Sequence, residues 1–591
     1  MWANSYLLIP SCLDGNGTGH LRRIINLYKK LKKDSTVFVY IPIYKIPHLF
    51  EKMLKNNIDR NDLILKTLPE QKTWNYIVVD YMETPEDLVF SLKEKGFLIG
   101  IDEGGTSREE FDYLIDIIPS LEYSVKANYS SVGLMELPER RLYQNTSNFK
   151  KILITFGGED NISLTKALLD FIKENNYFTS SKITVLGKNS FDISEYKNDI
   201  KFFDSIDNLK SVIYEYDLVF TSFGLTAFET LASGVPFLLL NPTIYHHKLS
   251  KKCNFVDIGI KKPDKNKLEQ FLQIGQDFNA LQEKYIPATY TSLDNFIKKL
   301  NISSTSCPVC HHVGGSSNII SRFESRNFYN CPECGITYQV KIFPIRDSYR
   351  KEYFFDEYKN QYGCTYLEDF ENIQSLAVPR LKILKKMKSK IINNRNNTFN
   401  LKLLDVGCAY GPFLVESKKY GFSPTGVEII SDAVNYVRRN LSLPILKGSF
   451  ESVNIGHSFD VITMWYVIEH FSNLELILSR ANKLLNIGGI FAFSTPNSSG
   501  ISALKKKDEF LNNSPLDHIT VWNPDITEGV LSRFGFKVKK IRITGHHPER
   551  FSSFPLFKTK LGYSIFVIIS KIFGLGDTFE VYTEKMKELN D

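Results

Sequence analysis

The sequence predicts a multidomain α/β protein built from Rossmann-like parallel sheets, and three observations carry that expectation. Over residues 1–300, short apolar runs alternate with helical patterns: YLLIPS, TVFVYIPI, YIVVDY, FLIGID, KILITFGG, KITVLG, DLVFTS and PFLLLN. Such runs, separated by amphipathic stretches, are what strands buried on both faces of a parallel sheet require. The same rhythm returns from residue 401 with LKLLDVG, PTGVEI, DVITMW, IFAFST and KVKKIRIT. Between the two stretches the rhythm stops, and four of the eight cysteines arrive in two pairs, CPVC from Cys307 and CPECG from Cys331.

A chain of 591 residues exceeds one hydrophobic core, and roughly 100–200 residues per domain gives three to five units. The polar, turn-rich PERRLYQNTSNFK separates residues 1–140 from 141–300, two Rossmann-like halves. NISSTS introduces the cysteine segment 301–342, residues 343–400 read as a helical linker or cap, and 401–591 form the third α/β unit. With 43% hydrophobic and 24% charged residues, the chain is expected to fold rather than remain disordered. Lys and Arg exceed Asp and Glu, 73 against 66, but in scattered runs such as YKKLKK. That pattern suits solvated surface, so no nucleic-acid partner is expected. No apolar stretch reaches about 18 residues and the first residues lack a signal-peptide pattern, so a cytoplasmic protein is expected. The apolar run over 562–576, broken by Lys571, is too short to span a bilayer. It reads first as a core helix, with weak membrane-surface contact as the alternative.

The cysteine pairs follow the spacing C-x2-C-x20-C-x2-C, each pair on a tight turn that presents two thiolates to one tetrahedral ion. Cys307, Cys310, Cys331 and Cys334 are therefore expected to hold a structural zinc. Four sulfur ligands leave no position for an activated water, and His311 and His312 are expected to be bystanders.

In DVGCAYG, Asp405 ends a strand while Gly407 and Gly411 let the backbone turn tightly beside a ligand. About twenty residues on, Glu428 ends a second strand, where a carboxylate accepts hydrogen bonds from ribose hydroxyls. Pro412 and Phe413 stand where a dinucleotide loop would need a further glycine and free N–H groups. Together with FDVITMWYVIEHF and LLNIGGIFAFSTPN, this pattern resembles the class I S-adenosylmethionine (SAM)-dependent methyltransferases over about residues 400–545. The resemblance implies that Asp405, Gly407 and Gly411 surround the methionine part of SAM and Glu428 its ribose. It places Phe450 and Glu451 by the adenine, and Trp465 and Tyr466 along the methyl-transfer cleft. Transfer to a hydroxyl or amine calls for a base, with Glu469, His470 and His518 as candidates, the last equally readable as structural. A zinc ribbon, an aromatic segment such as SYRKEYFFDEYKNQYG and such a core together resemble bacterial sugar methyltransferases. That implies a saccharide or nucleotide-sugar acceptor.

In DGNGTGHLRR, Gly17 and Gly19 allow a phosphate-bearing ligand to approach a helix start, where His20 can act as acid or base. TSFGLTAFETLASGVPFLLLN sets Ser222, Gly224, Thr226 and Glu229 at a second such turn. With IGIDEGGTSREEFDYLID and with Gly157 and Gly158 in ITFGGEDNIS, the segment resembles the UDP-sugar hydrolase of pseudaminic acid biosynthesis and the spore-coat polysaccharide proteins, both of GT-B architecture. The resemblance implies that the second half holds a UDP-sugar while His20 activates water at the anomeric carbon. Where that family carries Asn-Gln, NPTIYHHKL brings His246 and His247. Asp80 and Asp102 read simply as strand ends. The expectation is a bifunctional enzyme of bacterial surface-glycan or flagellin-sugar assembly. The alternatives are an N-terminal glycosyltransferase, or a silent glycan-binding module serving the methyltransferase.

Overall fold

A computed structural model describes every residue except 1–3, 14–17, 44, 71, 122–124, 142–148, 157–161, 188–198, 204–208, 303, 344–357, 360–362, 393–400, 551–559 and 590–591. The chain forms two compact units, residues 1–300 with 322–324 and residues 301–321 with 325–591.

The first unit contains two sheets. The first sheet runs in the order Leu63–Leu65, Thr36–Ile41, Ser5–Pro10, Tyr76–Asp80, Phe97–Ile101, Tyr113–Asp116, Tyr129–Ser130. The second runs Asp199–Phe203, Lys182–Leu186, Lys151–Ile154, Leu218–Thr221, Phe237–Asn241, Asp257–Ile260. Central neighbours pair in parallel, as in Leu8 opposite Val39 and Val78, or Ile154 opposite Val185 and Phe220. Leu7, Leu8, Ile9, Leu153 and Ile154 are fully buried, which is why these strands read as continuous apolar runs. In both sheets the chain winds outward from a central strand and then reverses to the other side. The reversal opens a crevice at the carboxyl ends of the first and fourth strands, where ligands bind in such sheets. Pro10 and Asp80 end those strands in one sheet, Ile154 and Thr221 in the other.

The second unit holds a seven-stranded sheet ordered Ile445–Lys447, Phe422–Glu428, Leu401–Val406, Phe459–Trp465, Leu485–Pro496, Thr578–Lys585, Phe536–Thr544. Thr578–Lys585 lies antiparallel between its two neighbours. The reversal here falls between Leu401–Val406 and Phe459–Trp465. A four-stranded sheet, Ile319–Arg322, Arg326–Asn330, Thr337–Lys341 and Thr520–Val521, carries the cysteine pairs. Its last strand belongs to the methyltransferase-like segment, and Cys307, Cys331 and Tyr338 share one core with Leu404, Val406, Phe493 and Trp522. So short a segment has too little apolar surface for a core of its own and completes it against its neighbour. Helix Phe370–Ile392 likewise packs Ala377, Leu381 and Leu384 onto Leu403, Phe413 and Phe422.

Candidate active sites

At the crevice of the first sheet, helix Gly19–Leu31 begins beside the end of Tyr76–Asp80. Spaced three apart, His20 and Arg23 share a helix face, and both reach Asp80. His20 Nδ1 lies 2.6 Å from Asp80 Oδ1. Arg23 Nε and Nη2 donate to the two oxygens of Asp80 at 2.6 Å, and Nη1 donates to Asp102 Oδ2 at 2.7 Å. Burial alone would raise the Asp80 carboxyl, but pairing with Arg23 and His20 outweighs it and holds the group below the usual carboxylate range. A fixed anion at Nδ1 sets the tautomer and leaves Nε2 of His20 on the side away from Asp80. Asp80 and Asp102, read from the sequence as plain strand ends, are thus tied to His20 and Arg23. The signal for them was the His20/Arg23 spacing opposite two successive acidic strand ends.

Gly17, Gly157 and Gly158 lie outside the described residues. Gly19 opens its helix, and a Cβ on it would stand 3.8 Å from Leu225 Cδ1, so the two helix starts face each other. Gly224 precedes helix Leu225–Ser233, and no atom lies within 4 Å of a Cβ built on it, leaving open space above the turn. Ser222 and Thr226 are half-buried on either side. Beneath, the Phe223 N–H donates to Asn241 Oδ1 at 2.9 Å, and Asn241 Nδ2 donates to Asp257 Oδ2 at 2.6 Å. His247 Nδ1 lies 2.6 Å from the same Asp257 oxygen. His246 instead pairs with Thr243 Oγ1 at 2.8 Å in its own helix's first turn, and burial lowers its pKa. Glu229 sits 3.5 Å from Lys210 Nζ, with burial pushing its carboxyl up.

In the second unit, Gly407 and Gly411 take the left-handed φ values of +68° and +84°. A Cβ on Gly407 would fall 2.6 Å from Val467 Cγ2, so only glycine fits. Glu428 binds this turn: Oε2 accepts the Ala409 N–H at 2.9 Å, and Oε1 accepts those of Ile429 and Ile430 at 2.8 and 2.9 Å. A carboxylate offers about four lone-pair sites, so capacity remains for a ribose hydroxyl. This donor set fits an adenosyl group. Asp405 accepts from Thr463 Oγ1 at 2.6 Å, and burial pushes it up to about 7. Phe450 is buried in the core, with the Arg480 guanidinium 5.6 Å from its ring, while Glu451 follows it half-buried. Trp465 lies beneath Arg380, 4.3 Å from the guanidinium, and Tyr466 is exposed at a left-handed φ of +58°. Tyr366, Leu367 and Phe370 pack onto Ala409, Tyr410 and Ile430, covering the glycine turn. The aromatic density just upstream was the only hint of that cover.

The three base candidates form one cluster, their ligand-type atoms all within 4.8 Å of one another. Glu469 is 1% exposed, neither of its oxygens has a hydrogen-bond partner among the described residues, and burial pushes it up to about 7. His470 Nδ1 lies 3.2 Å from Asp517 Oδ2. Burial alone would lower His470, but Asp517 and Glu469 outweigh it and favour the imidazolium. His518 stands edge-on to His470, with ring centroids 4.7 Å apart, and burial drops it to about 3, so it stays neutral. Asp517, one residue before His518, is the partner the sequence reading omitted. The cysteine-bearing sheet fixes this segment: the Ile519 N–H donates to the Glu469 carbonyl at 2.7 Å, and the Gln339 N–H to the Ile519 carbonyl at 2.9 Å. Buried Arg326 donates to the carbonyls of Leu511, Asn512, Ser514 and Pro515.

Cys307 Sγ lies 3.6 Å from Cys334 Sγ and Cys310 Sγ 3.5 Å from Cys331 Sγ, and all four sulfurs fall within 4.8 Å. Sulfurs bound tetrahedrally to zinc at 2.3 Å stand about 3.8 Å apart, so the donor set suits that ion. His311 turns away to Glu475.

The chain is similar to several known proteins. The family model described as "Methyltransferase domain" matches residues 372–541. An uncharacterized protein of Methanocaldococcus jannaschii is 26% identical over 373 residues, 56% of this chain and 68% of that protein. A ubiquinone biosynthesis O-methyltransferase of Rickettsia bellii is 28% identical over 143 residues, 23% of this chain and 57% of the relative. The chain thus spans little more than half of that enzyme. A SAM-dependent methyltransferase structure from Archaeoglobus fulgidus aligns over its whole length and 39% of this chain, with 15% identity and a TM-score of 0.29. The glycine turn, its carboxylate and the family match agree: the C-terminal part of this chain carries a SAM-dependent methyltransferase domain.

Proposed function

We propose that the chain is a bifunctional enzyme of bacterial sugar assembly. Its N-terminal unit hydrolyses a UDP-sugar, and its methyltransferase domain methylates a hydroxyl or amine of a sugar or glycan precursor. The observation that carries the reading is the His20–Asp80 pair at the crevice of the first sheet, facing the helix start beyond Gly224. In this reading Nε2 of His20 takes a proton from water as its oxygen attacks the anomeric carbon. The bond from that carbon to the diphosphate oxygen breaks, and UDP leaves with the electron pair. Asp80 orients the imidazole and stabilises its charge, and the network of Asn241, Asp257 and His247 stiffens the opposite turn.

SAM, when bound, supplies the electrophilic methyl group. Glu428 and the turn at Gly407 hold its ribose and methionine parts, Tyr366 and Phe370 exclude water, and His470, backed by Asp517, takes the acceptor's proton. Zinc on the four cysteines stiffens the sheet that grips the segment bearing His518.

Mass spectrometry of the full chain with UDP-sugars and methyl-labelled SAM tests the reading. UDP released without an added acceptor, lost in His20→Ala, and labelled methyl on a saccharide are expected. UDP release only with an acceptor would make the N-terminal unit a glycosyltransferase, and no release a binding module.

A further inference from the structure

Helix Lys560–Ile572 does not behave as the core helix its composition suggests. Ile565, Ile568 and Ile572, spaced to share one face, are 45%, 56% and 72% exposed, and Phe573 beyond them is 70% exposed. The opposite side is tied down. Ser570 is fully buried, its hydroxyl lies 2.7 Å from His546 Nδ1, and its carbonyl accepts the Leu575 N–H at 2.8 Å. The helix is therefore held in place while presenting an apolar stripe outward.

Along the sequence the helix carries charge of one sign, while the turn Pro548–Arg550 that packs against it brings Glu549 beside Arg550. No acidic residue occurs from Phe551 to Gly576, whereas Lys558, Lys560 and Lys571 do, interleaved with Phe557, Tyr563, Phe566 and Phe573. Lys571 is exposed next to Ile572. No helix among the described residues is long and apolar enough to cross a membrane. An apolar stripe of this length, with exposed Tyr563, Lys571 and Phe573 beside it, suits the boundary between acyl chains and anionic headgroups.

We propose that helix Lys560–Ile572, with Phe573, docks in the plane of an anionic lipid surface. A second copy of the chain is the competing occupant. A symmetric contact through this helix would set its lysines against their own copies, and the stripe is small beside the roughly 800 Å² per partner of a stable protein interface.

The test is co-sedimentation of the full chain with vesicles of phosphatidylglycerol and phosphatidylcholine in equal amounts, and with phosphatidylcholine alone. Wild type is expected to pellet with the anionic vesicles, and less as salt rises. The combined Ile565→Glu, Ile568→Glu and Ile572→Glu variant should bind about tenfold less. Lys571→Glu, a gentler change, should weaken binding to anionic vesicles alone. Unchanged SAM binding by calorimetry would certify that each variant is folded; a variant that fails this leaves Lys571→Glu to decide. Equal pelleting of wild type and variants, or no pelleting of wild type, overturns the proposal. So does a concentration-dependent dimer in light scattering that the isoleucine variant abolishes.

Discussion

Two carboxylates, Asp80 and Glu469, occupy related places and live in opposite electrostatic worlds. Asp80 ends the fourth strand of its sheet, and Glu469 lies just beyond the fourth strand of the methyltransferase sheet. Both are at most 1% exposed. Asp80 is gripped by Arg23 and His20 and stays an anion, whereas Glu469 has no hydrogen-bond partner among the described residues and is pushed up to about 7. Burial sets the cost of charge, and the neighbours decide whether the group bears it. The first can hold an imidazole but not trade a proton; the second can trade one near neutral pH.

Asp80→Asn should break the comparison hardest. It keeps the shape but removes the anion behind His20, so UDP release should fall by about 10³–10⁴ while UDP-sugar binding, read by calorimetry, changes little. Glu469→Gln should lower methyl transfer by about 10² with SAM binding retained, as steady-state kinetics and calorimetry would show. For the wild type, methyl transfer should rise with pH as His470, which Asp517 and Glu469 hold above the usual histidine range, loses its proton. The smallest effect sharpens the picture: Asp517→Asn removes the anion that raises His470, so the acid limb of the methyl-transfer profile should move to lower pH by about one unit.

The central strands were legible because parallel strands buried on both faces leave continuous apolar runs. Thr578–Lys585 was not, since it buries Glu580, Thr583 and Lys585 among its apolar residues. Those groups survive inside because Arg380 and Arg542 pair with Glu580, and Lys585 donates to the Asn482 and Leu485 carbonyls. No periodicity announces such compensation. The edge strand Asp199–Phe203 was missed for the reverse reason, being too polar and too exposed to stand out. In the sites, glycines and strand-end acids announced themselves at Gly407, Gly411 and Glu428. Partners supplied from far along the chain did not: Asp80 lies sixty residues from His20, and Arg326 reaches Pro515, in the segment before His518, from 189 residues upstream.

The most direct test of the contrast is the unfolding midpoint, across pH, of wild type, Glu469→Gln and Asp80→Asn, following for Glu469 the transition that SAM shifts upward. A carboxyl raised in the folded state costs nothing below its unfolded pKa, and costs increasingly as pH climbs to its folded value of about 7, reaching roughly 3 kcal/mol. Asp80, held low, gives stability that is present above its unfolded pKa and lost only in acid. Glu469→Gln should therefore match wild type near pH 4 and unfold several degrees higher near pH 8, while the deficit of Asp80→Asn stays constant from pH 5 to 8. A Glu469→Gln difference that does not change with pH would contradict the account.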